Sequence, residues 1–162
     1  MGRSLADRSY TGHYAPVPML ESPGVFTMLV PEGWSATGFP DGKYELTRAG
    51  AAGTANLSVY DRQDAPVTEA EARVLMTGFL AMIKPLSEPD VVVLAEGDDQ
   101  HRAVARCSDG NSEWLVFLVL WRQHFVMCSC TAEPGSPLLA ETEKMFATNH
   151  RPEQQRKRFW RK

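Results

Sequence analysis

The sequence predicts an α+β domain, a three-layer αβα sandwich built on a mainly antiparallel sheet of about six to seven strands. Three observations carry that expectation. Strand-like runs follow one another without intervening helices, in the order βββ, α, ββββ, α, so neighbours join as hairpins. Residues 114–121, WLVFLVLW, are apolar at every position, so this strand must be covered on both faces. Two segments have helical spacing, one for each face of the sheet.

The elements follow in order. Residues 1–24 are rich in Gly, Pro, Ser and Tyr without period and read as an irregular lead-in. Structure begins at VFTMLV (25–30), an apolar run closed by Pro31. A turn-rich loop, PEGWSATGFPDG, leads to strands at 44–48 and 55–60, joined by AGAAG. That glycine loop lacks the Lys-Ser/Thr of a phosphate cradle and reads as a connection. Thr68-Glu-Ala-Glu71 matches a capping box, opening a helix that runs to about Lys84. Leu75, Phe79, Met82 and Leu86 supply its apolar spacing, and Pro85 closes it. Strands are expected at 91–95, 101–107, 113–121 and 124–132. Ser136-Pro137 opens a last helix whose Leu138, Leu139, Thr142, Met145 and Phe146 share a face, with Asn149 as its stop. The domain therefore spans 25–150, and 151–162 is a basic tail.

A chain of 162 residues, 43% apolar and 23% charged, has the composition of one folded domain rather than of a disordered segment. Its amino-terminal residues carry no apolar signal core, and its longest apolar run is far short of the roughly 20 residues that a membrane helix needs. Three cysteines, an odd number, suit a reducing compartment, so the expected location is the cytoplasm. Net charge is −3, but RPEQQRKRFWRK (151–162) carries six basic residues and one acidic one, leaving an acidic body. Arg156, Lys157, Arg158, Arg161 and Lys162, with Phe159 and Trp160 between them, could reach nucleic acid or an anionic membrane. The plainer alternative is a solvated terminus, or one that lies back on its own acidic body.

The stretch HFVMCSC (124–130) raises metal or thiol chemistry, and strand register tests it. A two-residue turn at Asp109-Gly110 would set Arg106 opposite Glu113. A second turn at Arg122-Gln123 pairs Trp121 with His124, Phe117 with Cys128 and Leu115 with Cys130. Cys128 and Cys130 then share the Phe117 face, and Cys107 takes the other. Alternate side chains on a strand are about 7 Å apart, too far for a disulfide and awkward for one tetrahedral metal. His124 is roughly 13 Å from Cys128 along the strand. The three thiols read as core, and the sequence carries no motif for a cofactor or metal. Arg102 is expected to cover the sheet edge with its aliphatic stem. Trp34 and Phe39, in the glycine- and proline-rich loop, are the candidates for partner contact, although Trp34 could instead plug the sandwich.

FTMLVPEGW (26–34), the strand ending VYD (59–61), the helix opening TEAEA, the run of late hairpins and the closing ETEKMFATNH together resemble the PsbP-like superfamily. That group includes Ran-binding Mog proteins, DcrB-like bacterial proteins and chaperones of type VI secretion effectors. The resemblance, over residues 25–150, implies an αβα sandwich, noncatalytic binding or assembly roles, and no catalytic set. The chain departs from many bacterial relatives in showing no leader, and it has no plastid transit segment. The expectation is a noncatalytic adaptor or chaperone that binds another protein, a second copy of itself included, through Trp34, Phe39, Phe159 and Trp160. The rivals are a thiol or metal enzyme using Cys128, Cys130 and His124, and an anionic-surface binder using the tail.

Overall fold

The computed structural model describes residues 19–97 and 99–151. A hairpin of β1 (Met19–Ser22) and β2 (Phe26–Leu29) forms a small sheet of its own. The main sheet comprises β3 (Trp34–Gly38), β4 (Lys43–Arg48), β5 (Thr54–Asp61), β6 (Val92–Ala95), β7 (His101–Ser108), β8 (Glu113–Leu120) and β9 (His124–Ala132). Its seven strands lie in the order β3-β4-β5-β9-β8-β7-β6, every neighbouring pair antiparallel. The helices are α1 (Glu69–Ile83) and α2 (Leu138–Ala147).

β8 organises the layers. Val116, Leu118 and Leu120 join Ala72, Met76 and Leu80 of α1 in one core, while Leu115, Phe117 and Val119 join α2 and the small hairpin in the other. Each helix therefore covers one face of the same strand. α1 lies where it does because it must carry the chain from β5, on one side of β9, to β6 at the far edge. Along that path it crosses β8 and β7.

Several local features differ from the expectation. The lead-in of residues 1–24 contains a strand at its end, because Ser22-Pro23-Gly24-Val25 is a type II turn. The Val25 amide donates to the Ser22 carbonyl at 3.0 Å, and Gly24 sits at φ 75°. Residues 1–18 lie outside the described region. The loop after Pro31 instead forms edge strand β3, with Trp34 and Ala36 turned inward and Ser35 outward. Met82 and Leu86 are exposed rather than core, since Ala72, Met76 and Leu80 make the buried stripe. Only half of the capping box forms. The Glu71 amide donates to Thr68 Oγ1 at 3.2 Å, but the Glu71 carboxylate turns to Arg62.

The β7–β8 hairpin is displaced by two residues, so Arg106 faces Leu115 and Ser108 faces Glu113. Asp109 explains the shift. Its carboxylate accepts from the amides of Ser112 at 2.7 Å and Asn111 at 2.9 Å and from the Trp114 indole at 3.1 Å, which builds a four-residue loop. Those same bonds hold its pKa below the ordinary carboxylate value. Arg106 pairs with Glu143 of α2 at 3.5 Å, not with Glu113. The β8–β9 register is as expected, with Phe117 opposite Cys128 and Leu115 opposite Cys130.

Arg62 fastens the α1 connection to the sheet. It is nearly buried and donates to the carbonyls of Ala65, Trp121 and Arg122 as well as to Glu71. Two glycines give opposite stability predictions, measurable by urea unfolding. Gly53 sits at φ 132°, and a β-carbon there would stand 2.6 Å from the Thr131 carbonyl and 2.7 Å from Leu138, so Gly53→Ala is strongly destabilising. Gly78 is exposed within α1 with nothing close to it, so Gly78→Ala stabilises by about 0.5–1 kcal/mol.

Candidate functional site

The best-formed apolar recess near a sequence-predicted contact residue lies beside Trp34. Pro31-Glu32-Gly33-Trp34 is a second type II turn, with the Trp34 amide donating to the Pro31 carbonyl at 3.2 Å and Gly33 at φ 90°. It passes the chain from β2 into β3 and turns the indole inward, leaving Trp34 9% exposed. Leu29, Pro31, Trp34 and Met145 line a groove of about 440 Å³ between this turn and α2. Its rim carries both signs of charge. Arg48, paired across the sheet with Trp34, contacts Glu141 at 3.0 Å, and Glu32 and Lys144 stand nearby.

The groove is held open by the end of α2. The Leu29 amide donates to Thr148 Oγ1 at 2.9 Å, and that hydroxyl donates to the Met145 carbonyl at 2.7 Å. Thr27 and His150 exchange two backbone hydrogen bonds, of 2.8 and 2.9 Å, and a side-chain one of 2.9 Å. β2 therefore cannot slide into the recess without breaking four hydrogen bonds. Leu29, 38% exposed, remains at its mouth. Composition could not single out Leu29 or Met145. They become a site only through that lock between β2 and α2.

The other candidates are dispersed. Phe39 is 46% exposed but follows the opposite end of β3 from Trp34, about 16 Å away by strand rise, so the two do not form one surface. Phe159, Trp160 and the cations Arg156, Lys157, Arg158, Arg161 and Lys162 lie outside the described residues. A polar cleft of about 260 Å³ at the β8–β9 turn collects Asp64, Arg122, His124 and Arg151, but Arg122 already contacts Asp64 at 2.8 Å and His124 contacts Asp61 at 3.3 Å. A larger groove of about 530 Å³ runs beside α1, past Thr77, Leu86 and Val91.

Sulfur is scattered through the interior. Cys128 and Cys130 are fully buried in the α2-side core, whereas Cys107 is partly buried on the α1 side. Burial pushes all three thiol pKa values up. The Arg102 charge opposes the shift at Cys128, a hydrogen bond from Thr142 opposes it at Cys130, and Asp109 reinforces it at Cys107. A thiol so placed is the opposite of an activated nucleophile. Among the described residues, no three His, Cys, Asp or Glu side chains are grouped to hold a metal ion. None of the described helices is long and apolar enough to cross a membrane.

These features define an α+β domain with an antiparallel sheet between two helices and an apolar groove at one corner. No family model and no curated protein matches the chain. Among solved structures, a crystal structure from Bacteroides thetaiotaomicron VPI-5482 is similar over 82% of this chain, with 17% sequence identity and a TM-score of 0.57. The chain spans 47% of that protein's length. At such identity the likeness is one of fold alone.

The thiols supply a prediction. At pH 8, native protein exposed to an alkylating reagent reacts slowly and only at Cys107, while all three thiols react in urea, as counted by mass spectrometry. Because folded-state thiol values lie above the ordinary 9.0, stability is fully present below that pH and falls as pH rises past it, which urea midpoints at pH 8 and 10 will show.

Proposed function

We propose that this chain is a noncatalytic protein-binding domain, an adaptor or chaperone of the cytoplasm, which receives an apolar side chain of its partner in the groove beside Trp34. The observation that carries this reading is the groove itself, a preformed apolar recess with an aromatic floor and a rim of both charges. Interface anchors are typically single aromatic or aliphatic side chains seated in such recesses, with polar groups around them. The fitting partner segment offers one large apolar side chain with an anion placed for Lys144 and a cation for Glu32. The noncatalytic part of the reading is supported by the full burial of Cys128 and Cys130 and by the raised pKa of the partly buried Cys107. The resemblance of residues 25–150 to the PsbP-like superfamily, with its binding and assembly roles, agrees with it.

The test uses two rim substitutions that leave the core untouched. Leu29→Asp places a carboxylate at the mouth, and Lys144→Glu reverses one rim charge. Photo-crosslinking in lysate, followed by affinity measurement on the captured protein, is expected to show binding weakened by at least about tenfold for Leu29→Asp, or roughly 1.4 kcal/mol, and less for Lys144→Glu. Circular dichroism melting curves confirm that both variants fold. A partner that binds both variants as tightly as the parent chain would refute the groove as the contact site.

A further inference from the structure

Among the described residues, β6 ends the main sheet with one side unpaired. Residues 91–95, VVVLA, contain no charge and no proline, whereas natural edges are blunted by Lys, Pro, a bulge or a covering element. The register fixes which backbone groups face outward. The Glu96 amide donates to the Gln100 carbonyl at 2.8 Å, so antiparallel alternation turns the backbone groups of Val92 and Leu94 toward β7 and those of Val93 and Ala95 away from it. Arg73 takes the Val91 carbonyl at 3.0 Å, in agreement with that alternation. Val93 and Ala95 thus offer a further strand their amides as donors and their carbonyls as acceptors.

Each side of this edge can also receive side chains. On the α2 side, Val92 and Leu94 are 45% and 56% exposed, because α2 packs chiefly on β8 and β9. On the α1 side, Val91 and Val93 pack against the helix's core, and Val91 lines the groove of about 530 Å³ between α1 and residues 85–91. Ala81, Pro85 and Leu86 line it too, with the carboxylates of Glu88 and Asp90. Those two acids have no ion-pair partner among the described residues. Arg73, a cation in the same lining, is held by Glu69 at 2.9 Å. An apolar trough with two such acids fits a Lys or Arg side chain, its aliphatic stem along Leu86 and Val91 and its cation at the carboxylates.

The same acids select against a second copy. β6 paired with itself about Val93 would set Asp90 against Glu96 twice, and pairing about Val92 would set Glu88 against Glu96. Like charges directly opposite are destabilising.

We propose that β6 receives an extended segment of another protein as an added antiparallel strand, and that this segment carries a Lys or Arg for the groove beside α1. The pleat dictates its pattern. Residues opposite Ala95, Val93 and Val91 turn to the α1 side, and the two between them turn to the side of Val92 and Leu94. The cation therefore stands opposite Val91, and the two intervening residues are apolar. Main-chain bonds to Val93 and Ala95 supply affinity, and the seated cation supplies selectivity. β6 and β3 are opposite edges of the sheet, so this surface is separate from the Trp34 groove and either can fail without the other.

The probe is the heptapeptide acetyl-STVTVKS-amide, which has that pattern, titrated into the full chain by calorimetry and NMR. At saturation it is expected to slow exchange of the Val93 and Ala95 amides at least about tenfold and to leave those of Val92 and Leu94, already bonded to β7, unchanged. Replacing its lysine with glutamate weakens binding at least about tenfold, and a Glu88→Lys/Asp90→Lys chain reverses that preference. N-methylation of the two threonines, whose amides face β6, weakens binding at least about tenfold, whereas N-methylation of the two valines does not. Ala95→Pro, which removes one outward donor, lowers affinity in the same way, with circular dichroism confirming its fold. No binding at about 1 mM peptide, or binding indifferent to which amides are methylated, would overturn the proposal. A peptide-free chain that sediments as a dimer, and as a monomer when it carries Ala95→Pro, would assign the edge to a second copy and equally overturn it.

Discussion

The structure depends on β8 having no polar face. Six successive residues, Leu115 to Leu120, are buried, three toward each helix. Burying such side chains contributes about 1.5–3 kcal/mol each, but only while both faces stay dry. One helix cannot cover two faces. The chain therefore has to send α1 over one side and α2 with the β1–β2 hairpin over the other. The position of the sulfur follows from the same constraint, because β9 lies against β8 and its Cys128 and Cys130 fill the gaps beside Phe117 and Leu115.

One polar chain of contacts ties the closing layer down. The Trp121 indole donates to Gln100 at 2.8 Å, Gln100 donates to Glu96 at 2.7 Å, and Glu96 contacts Arg102 at 3.0 Å. Arg102 in turn donates to the carbonyls of Ala147 and Asn149 at the end of α2. A guanidinium there opposes the negative end of the helix dipole, an effect of about 0.3–1 kcal/mol at the surface and more when partly buried. Arg102 is thus a helix stop rather than an edge cover. By fixing the end of α2, it also fixes the place where Thr148 and His150 grip β2 and keep the groove open.

The sequence carried fold class, layer order and face assignments well, for a physical reason. Side chains on a strand repeat every two residues, so the slip at the Asp109 loop moved Arg106 from Glu113 to Leu115 without moving any side chain to the other face. The conclusion about Cys107, Cys128 and Cys130 survived that error unchanged. Pairings that depend on a partner distant in sequence were hidden. Nothing local in Glu71 announces Arg62, nothing in Arg106 announces Glu143, and nothing in Trp34 announces that Met145 will line the same groove. The β1–β2 turn was readable in principle from Pro23-Gly24, but the strand before it is only four residues long.

The two edges of the main sheet were built by opposite means. β3 alternates large or small apolar residues inward with Ser35 outward, and the Tyr44 ring closes over Gly38, where a β-carbon would stand 3.0 Å from it. That edge is polar outside and narrow at its end, so it invites no further strand. β6 has valines on both faces and depends on acidic residues only at its ends. Glu88 and Asp90 before it and Glu96 after it discourage pairing with a second β6, because like charges would face each other across the new ladder.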